Sequence, residues 1–225
     1  MQSYRIGTKR PEIFSDLFLD QVFELNDIVR KSGAQLEGNI FYKQATDFST
    51  EHRQNPIGRF RNKRINLFLA SLGKSHFVEI GFNAGHSTLL ILASNPTIRV
   101  SAIDICINPY TQACAKWMTA AFPGRFDFYQ GDSQEAFPQN AEKFLDGDLF
   151  HVDGGHSYEV ARSDIENVAN LENPDNVSRH LIIDDIVRTK IETNMVEFVN
   201  RGFLQSETYG GRWREAAHVL LKALP

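Results

Sequence analysis

The stretch FHVDGGHSY (150–158) ends an apolar run at Asp153, follows it with two glycines, and sets His156 three residues after the acid. A carboxylate and an imidazole at this spacing can serve one ligand or exchange a proton, because the glycines let the backbone turn sharply between them. The same residues alone would also make an ordinary turn, since Asp and Gly favour turns. Comparable points recur along the chain. Asp104 closes VSAID, Asp132 follows Gly131 after FDFYQ, and Asp184 with Asp185 closes HLII. FVEI runs into Gly81-Phe82-Asn83-Ala84-Gly85-His86-Ser87, where two glycines allow close backbone approach to a ligand and the next helix offers N–H groups to an anion. This GxxxG spacing is not the GxGxxG of dinucleotide binding. Asp104 has the chemistry to accept both hydroxyls of a ribose.

Side chains of this kind need elements that bring them together. From Phe77 onward, short apolar runs alternate with helical segments: FVEIG and HSTLLILAS, VSAIDI and TQACAKWMTAAF, FDFYQGD and SQEAFPQNAEKF, LFHVDGG and VARSDIENVANL, HLIIDD and TKIETNMVEFVN. Five strand–helix repeats predict a parallel sheet with helices on both faces, and ligands then bind outside the carboxyl ends of its strands. FLQSETYG and HVLLKAL have no helix between them and read as an appended antiparallel hairpin, which makes seven strands. Before this core, residues 13–31 space Phe14, Leu17, Phe18, Leu25 and Ile28 as a helix, with Arg30 and Lys31 suited to its negative end and Gly33 as a stop. Residues 34–54 read as a loop or lid. A second helix is expected from an Asn55 N-cap and Pro56, ending before Gly73. The expected organisation is a helical extension and candidate lid over 1–76 and a core over 77–225, forming one domain overall.

Composition narrows the function classes. The chain has 225 residues, 42% hydrophobic and 23% charged, which argues against wholesale disorder. A net charge of −4 gives no general attraction to nucleic acid or anionic membrane. Apolar runs such as LLILA are too short to cross a bilayer, and MQSYRIGTKRPEIF lacks the apolar core of a signal peptide. Cys106 and Cys114 follow no metal-binding spacing. A reduced, cytoplasmic protein is expected.

The motifs together resemble the class I methyltransferases that use S-adenosylmethionine, with their Rossmann-like α/β fold. EIGFNAGHST is similar to the first motif of that fold, and GDSQEAFPQ to the adenine-side segment of catechol-type O-methyltransferases. VDGGHSYE and LIIDD resemble segments of metal-dependent sugar and macrolide O-methyltransferases. The resemblance implies that Glu79, Gly81, Asn83, Gly85 and Ser87 surround the methionine part of the cofactor. It also implies that Asp104 holds the ribose and that Asp132, Ser133 and Gln134 border the adenine. His86 is expected to pack or to face solvent, and His151 to be a satisfied core histidine.

The resemblance further implies that Asp153, Asp184 and Asp185 meet at neighbouring strand ends. Clustered carboxylates repel unless a cation or protons intervene, and hard oxygen ligands suit Mg2+, Mn2+ or Ca2+. Such an ion would hold a hydroxylated small molecule beside the sulfonium methyl. His156 occupies the place of a catalytic lysine in the catechol enzymes, and an imidazole suits proton abstraction at neutral pH. The sequence departs from the sugar enzymes at Gly155, where they often have a second acid, and from the catechol enzymes at Asp185, where they have an amide. The leading expectation is therefore a metal-assisted O-methyltransferase with Asp153 and His156 as catalytic residues. The alternatives are a metal-independent enzyme using His156 alone and a non-catalytic cofactor-binding protein. Residues 34–62 and the segment around Tyr209 and Trp213 are expected to wall the acceptor pocket, with Phe41 and Tyr42 stacking a ring and Arg59, Arg61 and Arg212 holding an acidic group, unless that basic run is a solvated helix face. Self-association into a homo-oligomer is left open.

Overall fold

The structure, a computed structural model, describes residues 3–6, 12–41, 60–186, 189–201, 204–206 and 219–223. Strands β1 (Ser3–Ile6) and β2 (Glu12–Ser15) form a small antiparallel hairpin. Helices α1 (Asp16–Lys31) and α2 (Arg61–Ser71) follow. The core then runs β3 (His76–Ile80), α3 (His86–Ser94), β4 (Arg99–Asp104), α4 (Thr111–Ala121), β5 (Phe126–Gln130) and α5 (Ser133–Gln139). It continues with β6 (Leu149–Val152), α6 (Tyr158–Ala169), β7 (His180–Ile183), α7 (Thr189–Asn200), β8 (Leu204–Ser206) and β9 (Val219–Ala223).

Strands β3 to β9 form one sheet of seven in the order β5-β4-β3-β6-β7-β9-β8. The first five of these strands in the chain pair in parallel, and β9 joins β7 and β8 antiparallel. The doubly wound sheet with an antiparallel C-terminal pair expected from the sequence is thus the fold. Alternation along the strands supplies both faces: Phe77, Leu149, Ile182 and Leu220 pack with α1 to α4, whereas Val78, Phe150, Leu181 and Leu221 pack with α5 to α7. Helix α1 belongs to the same buried cluster through Phe18, Leu19, Val22 and Leu25.

Two boundaries differ from expectation. The first helix begins at Asp16, because Ser15 caps it by accepting from Phe18 N at 3.2 Å, and Glu12–Ser15 is strand instead. The second helix is described from Arg61, with Phe60 as its N-cap; Asn55 and Pro56 lie outside the described residues. Among the described residues no helix is long and apolar enough to cross a membrane.

Candidate active site

From β3 the chain winds outward through β4 to β5, then returns to β6 on the other side of β3. The carboxyl ends of β3 and β6 are therefore neighbours at the point where the winding reverses, which is where such sheets open a crevice. The backbone closes tightly here. Gly81 N donates to Ile103 O at 2.9 Å and Asp153 N donates to Ile80 O at 2.9 Å. A Cβ on Gly81 would lie 2.2 Å from the Asp153 carbonyl oxygen, and its φ of +98° is left-handed, so only glycine fits.

Beneath the glycine turn, Glu79 is fully buried and faces His151 across the parallel β3–β6 pair. Its Oε1 accepts from Ser87 Oγ and from His151 Nδ1 at 3.0 Å, and its Oε2 accepts from Thr88 Oγ1 at 2.5 Å. Burial alone would lower the His151 pKa; the bonded Glu79 carboxylate raises it above the usual value for histidine. Glu79 is thus an anchor for the first turn of α3 and does not line the cavity above it. His151 is buried in the core as expected, with Nδ1 on Glu79. His86 does not face bulk solvent: it is buried, its Nε2 lies 2.9 Å from Asn26 Oδ1, and burial pushes its pKa down to about 4, so the ring is neutral.

Asp104, at the end of β4, accepts from Asn83 N and Cys106 N, each at 2.7 Å. Each carboxylate oxygen retains a further acceptor site, so the geometry leaves room for a diol. Asn83 has a φ of +53°, and its side chain reaches back to the N-terminal segment: Nδ2 donates to the carbonyls of Glu37 and Gly38 (3.1 Å to Gly38 O), and Oδ1 accepts from Tyr110 Oη at 2.7 Å. Its side chain therefore clamps residues 37–38 onto the glycine turn, a contact no spacing in the sequence announces. At the end of β5, Asp132 caps α5 by accepting from Gln134 N at 3.0 Å. Asp132 and Ser133 line the cavity, whereas Gln134 is exposed and does not. Ile105, half-exposed after Asp104, adds an apolar wall.

At the other end the three acids converge as expected. Asp153 and Asp184 lie within reach of a common ligand with His151, and Asp153 and Asp185 with His156. His156 Nε2 is 3.2 Å from Asp185 Oδ2. Burial and the neighbouring Asp184 carboxylate push Asp153 up to about 8. Asp185 adopts a φ of +54°, an uncommon conformation of the kind found where a side chain must be aimed.

A residue the sequence reading missed sits in this cluster. Lys63, from the first turn of α2, places Nζ 2.6 Å from both oxygens of Asp184 and 3.6 Å from Asp185 Oδ1. Burial opposes its charge, but Asp184, Asp153 and Asp185 outweigh it and hold the Lys63 pKa above the usual lysine value. Oxygens bind a divalent ion at roughly 2.0–2.6 Å, the range the ammonium already occupies on Asp184. The acids are the right donors for Mg2+, Mn2+ or Ca2+, yet Asp184 does not fit such an ion while Lys63 stands on both its oxygens. Of Arg59, Arg61 and Arg212 only Arg61 is among the described residues, and it is half-buried; further along the helix Arg64 is buried and donates from Nη1 to Ile40 O at 2.6 Å. Phe41 is a core residue packed on Phe18 and His86 and is not among the residues that line the cavity at the strand ends. Tyr42, Arg59, Tyr209, Arg212 and Trp213 lie outside the described residues.

One cavity of about 780 Å³ runs from Gly81–Ser87, Asp104 and Gly131–Ser133 to Asp153, His156, Asp184 and Lys63. Glu37–Ile40 close one side of it. A second, largely apolar cavity of about 530 Å³ is lined by residues of α1, α2 and α3 with Pro96, Phe122 and Arg125, away from the strand ends that carry the acids.

The sheet order, with its switch point between β3 and β6, is that of the class I methyltransferase fold. Residues 78–186 match the family described as "Methyltransferase domain". The fold is shared with O-methyltransferase TomG from Streptomyces achromogenes, crystallised with S-adenosylmethionine (14% identity, 94% of this chain and 91% of that one, TM-score 0.59). It is shared also with an O-methyltransferase from Bacillus cereus in complex with S-adenosylhomocysteine (13% identity, 94% and 92%, TM-score 0.57). The TDP-rhamnose 3'-O-methyltransferase CalS11 of calicheamicin biosynthesis is similar as well (12% identity, 93% and 95%, TM-score 0.55). No curated protein sequence gives a significant match.

Proposed function

We propose that the chain transfers a methyl group from S-adenosylmethionine to a hydroxyl of a small molecule. The observation that carries this reading is the single cavity joining a glycine turn and a strand-end acid to an imidazole and a carboxylate cluster. Gly81 makes the cradle that a side chain would fill, and Asn83, Gly85 and Ser87 border the N-terminus of α3, which suits the carboxylate of the cofactor. Asp104 suits the ribose diol, while Asp132, Ser133 and Ile105 suit the adenine. Glu79 acts from below by fixing Ser87 and Thr88, and Gln134 has no part in the site. When bound, the cofactor supplies an electrophilic methyl on a sulfonium.

The chain's own residues have three tasks at the acceptor end. His156 is the proton acceptor, because Asp185 against its Nε2 orients the ring and supports positive charge on it. Asp153 and Asp184 offer hydrogen-bond partners to acceptor hydroxyls. Lys63 walls this end and residues 37–38 close over the glycine turn, so the N-terminal part of the chain completes the cavity that residues 77–225 form. Cavities of this size take a cofactor with a small acceptor, such as a glycoside or a catechol-like compound. No step in this reading runs through a divalent ion, since Lys63 occupies both oxygens of Asp184.

Calorimetry with S-adenosylhomocysteine, followed by an acceptor screen that reads its release across catechols, flavonoids and glycosides, tests the reading. Absence of binding at about millimolar S-adenosylhomocysteine, some 4 kcal/mol of affinity, would defeat it.

A further inference from the structure

We propose that Lys63 is the resident cation of the carboxylate cluster and takes the place of a divalent ion, so that this end of the cavity works without metal. What the cluster does for an acceptor rests on the methyl-transfer reading above; its charge balance does not. Asp184 is buried, with a side chain 1% exposed, and Lys63 is 16% exposed. Both oxygens of Asp184 therefore face a cation 2.6 Å away, in a setting with little solvent to screen the pair.

The lysine does not reach this place from a loose surface. It sits one residue before Arg64, whose guanidinium is buried and bonded to Ile40 O, and on a helix that buries Leu67 and Ala70 in the core. An ammonium delivered by an anchored helix is present at high effective concentration and competes with free ions at no cost in diffusion. Three carboxyl groups converge here, and a cation or protons relieve their mutual repulsion. Lys63 supplies the cation, with Asp184 at 2.6 Å and Asp185 at 3.6 Å.

Lys63 thereby serves as a positioning residue. An ammonium carries three N–H donors. With Asp184 holding two of them, a third is available to an acceptor oxygen in the cavity that Lys63 lines. Asp185 lies between Lys63 (3.6 Å) and His156 (3.2 Å), so the same cation also sets the field felt by the imidazole. The work a metal ion does elsewhere, fixing a hydroxyl and favouring loss of its proton, here falls to a tethered cation.

Electron paramagnetic resonance with Mn2+ tests this without any acceptor. The wild-type chain is expected to show no saturable Mn2+ binding up to about 1 mM, while Lys63→Met gains one site at least about tenfold tighter, which Asp184→Asn removes again. Lys63→Arg keeps the charge and is expected to behave as wild type. One Mn2+ bound by the wild type at micromolar concentration and lost on Asp184→Asn would overturn the proposal, as would a folded Lys63→Met that gains no site. Should Lys63→Met fail to fold, the wild-type titration decides alone. S-adenosylhomocysteine affinity measured on the same samples judges the methyltransferase reading separately, because neither Lys63 nor Asp184 lies at the cofactor end.

Discussion

Replacing Glu79 with Gln tests the anchor under the glycine turn. The native carboxylate accepts from Ser87, Thr88 and His151 with no solvent access. Hydrogen bonds to a charged acceptor contribute roughly 1.5–3 kcal/mol and neutral ones about 0.5–1.5. An amide can still accept from His151 and Ser87 through its oxygen and donate to a rotated Thr88 hydroxyl. The loss is then the charge assistance, about 1 kcal/mol per bond and about 3 kcal/mol in all. For a chain of this length that corresponds to a melting point lower by roughly 6–12 °C. The His151 pKa is raised in the folded state, so the imidazolium–Glu79 contribution is complete below the unfolded histidine pKa and fades as pH rises through the folded one. The gap between wild type and Glu79→Gln should therefore narrow at alkaline pH. Urea unfolding at several pH values reads the stability, a double-mutant cycle with Thr88→Ala isolates the coupling, and calorimetry reads the loosened α3 turn as weaker S-adenosylhomocysteine binding. A variant within about 0.5 kcal/mol of wild type at every pH, with native cofactor affinity, would refute the anchor argument.

Two further outcomes follow from the site. Asp104→Asn should weaken S-adenosylhomocysteine binding by about 10–100-fold, because a neutral amide keeps only one acceptor oxygen for two backbone N–H groups and a diol; equal affinity by calorimetry would remove Asp104 from the ribose. Asp164 is buried beside Gly154, and neither carboxylate oxygen has a hydrogen-bond partner of good geometry among the described residues. Burial pushes its pKa from 3.8 to about 7, with Ser133 opposing. Between those values the folded chain keeps a proton the unfolded chain has lost, so stability falls as pH rises through that window and is level above it. Asp164→Asn should thus be more stable than wild type at pH about 8, by on the order of 2 kcal/mol, with the advantage gone near pH about 4 in thermal melts.

Much of the sheet was legible because its signals are local. Each strand of the core is a short apolar run ended by glycine or acid, and five such runs with helices between them have few ways to fold other than a doubly wound sheet. The glycine turn, Asp104, Asp132, Asp153, Asp184 and Asp185 were legible for the same reason, since strand ends in this architecture share one edge. Helix starts were less so. Ser15-Asp16 is a capping signal, but the apolar run around it read as continuous helix and hid the switch from strand. Gln134 was expected with Asp132 and Ser133 at the cavity, but it is exposed and is not among the residues that line it.

By itself, then, the sequence determined the order of the elements and the chemistry waiting at their ends, because both follow from backbone periodicity and residue type over a few positions. Only the tertiary structure decided which groups meet. Glu79, two residues before the first glycine, is drawn below the site by the strand pleat, which turns alternate side chains to one face. Lys63 lies far along the chain from the Asp184 it meets, and nothing in RFRNKR separates it from its neighbours. Helix α2 packs on the core through Leu67 and Ala70 and so presents that one ammonium to the carboxylates, a choice made by packing and by the repulsion that only assembled acids exert.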